Sequence, residues 1–125
     1  MHMSLSKFES MLKTNSIYFF DLVEFEEIIV HYLDTGKHSL AKKAVKLGLE
    51  QHPTSIDLKL LDVEILIFDN KLEKASQKLR RIRLLAPANE EVYIQKATIL
   101  SKNGNHEKAI INLKIAVSHP DDKVD

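Results

Sequence analysis

Histidine and carboxylate are the side chains here with most scope for metal or proton chemistry. Six histidines stand at 2, 31, 38, 52, 106 and 119. A helical zinc site needs two His four residues apart, with a Glu beside the first to act as base. No pair in this sequence has that spacing. His38 and His106 occupy equivalent places in a repeating phrase, and His52 and His119 each precede a proline. A structural or neutral role is therefore expected of them, rather than metal binding. His31 follows Glu27 by four residues, the spacing of a helical surface contact. Cysteine is absent, which removes thiolate nucleophiles, disulfides and Cys-based metal sites. Only three Gly are present, with no Gly-rich phosphate loop and no Gly-x-Ser-x-Gly elbow. The expectation is a non-enzymatic protein with no catalytic residues, no metal and no cofactor.

Charge points the same way. Lys plus Arg and Asp plus Glu are 18 each, so the whole molecule exerts no net pull on nucleic acid or an anionic membrane. The run "KLRRIRLL", with Lys71, Lys74, Lys78, Arg80, Arg81 and Arg83, is locally basic. Lys74, Lys78 and Arg81 fall at i, i+4 and i+7, the outer stripe of an amphipathic helix. No aromatic residues interleave to stack on bases. A solvated face is expected, and nucleic acid is not the expected partner. The most apolar N-terminal stretch, "IYFFDLVEFEEIIV", is broken by four acids, so neither a secretory segment nor a membrane span is expected. A cytoplasmic location follows as an expectation.

The elements that carry these side chains announce themselves by repetition. Ala41, Ala75 and Ala109 are 34 residues apart, as are Gly36, Asn70 and Gly104. Pro53 and Pro87 share that interval, and Pro120 follows after 33. A fixed period of this size marks a stacked array of small units. Each period reads as two helices. Phe25, Ile28, Ile29 and Tyr32 recur at helical spacing before Gly36, and Leu40, Ala44, Val45, Leu47 and Leu49 follow it. Gly supplies the left-handed turn between them, and Asn is the next best residue for it. Pro closes the second helix, since it lacks an N–H and restricts the residue before it. The small Ala lets antiparallel helices approach closely. Leu5, Phe8, Met11 and Leu12 predict a further helix at the N-terminus, packed on the first copy.

On these residues the sequence resembles the tetratricopeptide repeat (TPR) family. Repeat one, from Leu22, carries Phe25, Ile28, Ile29, Tyr32, Gly36, Ala41, Gly48 and Pro53. Repeat three carries Tyr93, Ala97, Leu100, Gly104, Ala109, Ala116 and Pro120. Repeat two keeps Val63, Leu66, Asn70, Ala75 and Pro87 but departs at Lys59, Asp62 and Ile82. The resemblance implies an all-α fold, a right-handed α-solenoid of antiparallel helix pairs with about seven helices. Its divisions are a lead-in at 1–21 and repeats at 22–55, 56–89 and 90–122. The chain stops where another helix would begin, so it reads either as a fragment of a longer array or as one whose last face is covered by self-association.

The resemblance also implies a concave groove lined by the first helix of each pair. The residues it places there are Glu26, Val30, Asp57, Leu60, Leu61, Glu64, Ile67, Phe68, Glu91 and Ile94. "LKLLDVEILIF" has eight apolar residues in eleven, more than one core stripe needs. The surplus, Leu60, Leu61, Ile67 and Phe68, is either exposed interface or packing against neighbouring helices. With an acidic rim of Glu26, Glu27, Asp57, Glu64 and Glu91, the expected partner is a helix or extended peptide with apolar anchors and some Lys or Arg. Family members that grip chaperone C-terminal carboxylates do so with cations. The matching places here hold Glu26, Val30, Leu61, Glu91 and Gln95, which would repel a carboxylate. The alternative expectation is self-assembly into a homo-oligomer through the apolar groove or an uncapped face at Ile110, Leu113 and Val117.

Overall fold

The computed structural model describes residues 2–118, and these form seven α-helices without a strand. They are α1 (His2–Thr14), α2 (Leu22–Asp34), α3 (His38–Gln51), α4 (Ile56–Phe68), α5 (Leu72–Leu85), α6 (Glu90–Lys102) and α7 (His106–Ser118). Helices α2, α4 and α6 begin at 22, 56 and 90, and helices α3, α5 and α7 at 38, 72 and 106. The 34-residue interval of the sequence is therefore the interval of the helices. The expected stop at Pro120, with His119 before it, lies outside the described residues.

The turn within each pair has one construction. Gly36, Asn70 and Gly104 take φ of +75°, +62° and +83°. Each N–H bonds the carbonyl three residues back: Gly36 to Leu33 at 3.2 Å, Asn70 to Ile67 at 2.9 Å and Gly104 to Ser101 at 3.0 Å. The following N–H reaches five back: Lys37 to Tyr32 at 2.8 Å, Lys71 to Leu66 at 2.9 Å and Asn105 to Leu100 at 2.8 Å. This is the Schellman arrangement, which satisfies carbonyls that a helix end otherwise leaves open. At the other boundary His52 and Ala86 leave the helical region, with φ of −131° and −141°, one residue before Pro53 and Pro87.

The start of α2 is fixed by a capping box that the apolar pattern does not show. Asp21 Oδ1 accepts from the Glu24 N–H at 2.8 Å, and Glu24 Oε1 accepts from the Asp21 N–H at 3.0 Å. Ser4 Oγ of α1 donates to the second Glu24 oxygen at 2.8 Å. The Asp21 backbone bond, then the Ser4 bond, hold the Glu24 carboxyl below its ordinary 4.5.

The chain divides between Leu61 and Asp62 into two compact units. In the first, α1 packs on α2 and α2 pairs with α3. An aromatic chain holds them: Phe8 meets Phe20 at 6.0 Å and Tyr32 at 6.1 Å, and Phe20 meets Phe25 at 5.4 Å. All four rings are fully buried, each worth on the order of 1.5–3 kcal/mol. Burial, then the bond to Glu9 Oε2 at 2.8 Å, push the Tyr32 phenol up. The irregular lead-in is stitched to α3. Gln51 accepts from the Phe20 N–H at 3.0 Å and donates to the Tyr18 carbonyl at 2.8 Å. His52 Nε2 bonds the Phe20 carbonyl at 2.8 Å, and its ring packs on Phe25.

In the second unit α5 packs on α6 and α6 pairs with α7. Ala75, Leu79 and Ile82 of α5, Val92, Tyr93, Ala97 and Ile99 of α6, and Ala109 and Ala116 of α7 are buried. Asp62, one of the departures in repeat two, forms an ion pair with Lys78 at 2.7 Å. Lys78 therefore does not belong to a purely solvated stripe.

Gly48 tests how tightly the first unit is packed. A Cβ there would lie 3.1 Å from Leu58 Cδ1 and 3.3 Å from the Phe25 ring, and both neighbours are fully buried. Gly48→Ala gains about 1 kcal/mol of helix propensity but overpacks a closed core at a cost of roughly 1–3 kcal/mol. Urea unfolding should show a net loss of about 1 kcal/mol. A gain would mean that Leu58 and Phe25 yield freely.

Candidate functional site

The exposed side of α2 carries a broad, shallow depression lined by Glu26, Glu27, Val30, His31 and Asp34. The helix positions them. Phe25, Ile28, Ile29 and Tyr32 turn inward, so the residues between them face out. Val30 is 43% exposed, an aliphatic floor among three carboxylates. Beside it the Glu26 carboxyl stands within hydrogen-bonding reach of Asp57 on α4. Burial first, then that contact and the Asp57 charge, raise Glu26 above its ordinary 4.5.

The second unit carries its own acid pair. Burial, then the charge of Glu64 on α4, raise Glu91 on α6, and a bond from Gln95 opposes the shift. Both pairs set carboxylates against each other. A cation placed between them would relieve that repulsion.

The apolar residues expected to line a groove divide. Leu60 and Ile67 are buried, at 5% and 6% exposure, and so offer no docking surface. Of the two alternatives left open for them, this burial favours packing. They lie with Leu58, Val63, Ile65 and Leu66, which are buried on the same helix. Leu61 and Ile94 are half-buried. Phe68 alone of the surplus stands out, at 62% exposure.

Helix α7 turns only Ala109 and Ala116 into the core. Ile110, Leu113 and Val117 are exposed as expected, and so are Ile111 and Ile115. The lead-in adds Ile17 and Phe19, both exposed. Neither pair was signalled by the repeat: Ile111 and Ile115 lie on the side of α7 away from Ile110, Leu113 and Val117, and Ile17 and Phe19 fall before repeat one begins. The capping acids Asp21 and Glu24 could have been read from their three-residue spacing ahead of an apolar run.

His31 lies against the Tyr32 ring, and His106 Nδ1 stands 3.4 Å from Ser101 Oγ. Among the described residues no group of three His, Asp or Glu is placed to hold a metal ion. No helix among them is long and apolar enough to cross a membrane. Compared with known proteins, the chain matches no family model, no curated protein and no solved structure.

The raised Glu26 gives a pH dependence of definite sign. Its folded form holds a proton more tightly than the unfolded chain does. Stability is then lost as pH rises from 4.5 through the raised value. Glu26→Gln removes this loss. In denaturant melts the variant should exceed the parent at pH 7, and the gap should close as pH falls toward 4.5. Parallel curves for the two proteins would show that Glu26 and Asp57 do not oppose each other.

Proposed function

We propose that the chain is a non-enzymatic interaction scaffold of the tetratricopeptide type, its helix pairs stacked as a right-handed α-solenoid. Support for that type comes from the 34-residue interval of helix starts and the three Schellman turns at matching places. The partner is a peptide or helix with apolar anchors and Lys or Arg. The observation that carries this reading is the α2 depression, where Val30 lies exposed among Glu26, Glu27 and Asp34. An apolar side chain seats on Val30, and flanking cations meet the acids. In the second unit Phe68, with the Glu64 and Glu91 pair, offers the same chemistry.

A suitable probe is a labelled amphipathic peptide of Leu and Lys. Fluorescence anisotropy should show binding that weakens with salt. Val30→Lys, which leaves the buried side of α2 untouched, should weaken it at least tenfold. Equal binding by the parent and Val30→Lys would remove α2 from the site.

A second reading rests on a different observation. Five large aliphatics, Ile110, Ile111, Leu113, Ile115 and Val117, are exposed on one helix. Ile110, Leu113 and Val117, at i, i+3 and i+7, share one face; such a face favours a covering partner, and a second copy would make α7 a self-assembly face. Sedimentation should then show association that rises with concentration and is lost in Leu113→Glu. A monomer at every concentration would dismiss this reading.

A further inference from the structure

The basic run on α5 does not behave as one surface. Lys78 is neutralised by Asp62 at 2.7 Å. Ser76, Arg80 and Arg83, at i, i+4 and i+7, instead line a narrow cleft. Lys96 of α6 and Asn112 of α7 line it with them. Three basic side chains from two helices thus line one cleft, and no carboxylate lines it among the described residues.

We propose that this cleft binds a phosphate monoester dianion. The site is separate from the acidic face of α2 and does not depend on the function proposed for it. Several features of the cleft favour this ligand. Leu79 and Val92 form an apolar, buried floor, so charges above it are less screened than in open water. The space at the floor is about 20 Å³, room for one water-sized group. One phosphoryl oxygen fits there, and a nucleobase does not. Arg83 is held over the Tyr93 ring at 5.9 Å, while Tyr93 Oη donates to the Pro87 carbonyl at 2.9 Å. The guanidinium is therefore steadied before a ligand arrives. Ser76 on α5 and Asn112 on α7 add neutral polar groups, one Asn112 amide N–H being donated to the Lys108 carbonyl at 2.9 Å.

Three cations match a doubly charged, three-oxygen group better than a single carboxylate. A polynucleotide is disfavoured because the basic side chains line one small cleft instead of forming a track. The one aromatic ring present is buried beneath Arg83. The phosphate could be carried by a peptide or by a small molecule.

The test titrates the full chain, followed by amide NMR shifts and calorimetry. Three probes are compared: inorganic phosphate, a phosphoserine peptide with neutral flanks, and the same peptide unphosphorylated. Phosphorylated probes should shift amides around Ser76, Arg83 and Lys96, and the plain peptide should not. Binding to the phosphoserine peptide should strengthen as pH rises through about 6, where the dianion forms. Arg80→Gln and Lys96→Gln, made singly on accessible side chains, should each weaken binding about tenfold. Lys42→Gln, on α3, should leave it unchanged. Response to the phosphopeptide alone assigns the phosphate to a protein, and equal response to inorganic phosphate assigns it to a small molecule. The proposal is overturned if neither phosphorylated probe binds, or if both cleft variants bind as the parent does.

Discussion

The fold depends on a backbone shape that most residues resist. Three times, at intervals of 34 residues, the chain enters the left-handed region and reverses into a second helix. The residue at that point and the one after it each donate one closing hydrogen bond in every copy. With the reversal set, the small faces at Ala41, Ala75 and Ala109 are buried in each pair. Everything exposed follows from that choice, because the inward stripe of each helix determines what is left outside.

The outward residues differ in character from helix to helix. On α2 they are acids with two valines, Val23 and Val30. On α5 some are neutralised across to α4, and others line a cleft of one sign with Lys96. On α7 they are aliphatic. The same local scaffold thus carries surfaces of opposite charge and of none. That variety is possible because the turns and buried alanines hold each hairpin while the outward positions vary.

The helices and their turns were legible because their signals are local and discrete. Gly36 and Gly104 permit a backbone that other residues resist, and Pro53 forbids one. A 34-residue echo of such signals survives wide change elsewhere. Asn70 was readable for the same reason, as the next most tolerant residue. What stayed hidden lies on α4. With eight apolar residues in eleven, that helix has no polar face to mark its outside. Period alone could not say that Leu60 and Ile67 are inside while Phe68 is out. The cationic cleft was hidden for a different reason. Arg80, Lys96 and Asn112 come from three helices, and only packing brings them together. A helical wheel of α5 showed a basic stripe and could not show which part of it Asp62 would neutralise.

The Schellman turns also bear on how the chain reaches this structure. Their bonds join residues three and five apart, and the helices they join are neighbours in sequence. Loop closure is short and entropically cheap in such a hairpin. Chains dominated by contacts of this kind fold in microseconds to milliseconds. Synthesis adds only about 5–20 residues per second, so one 34-residue copy emerges over a few seconds. A hairpin therefore has time to sample its turn before the next has been made.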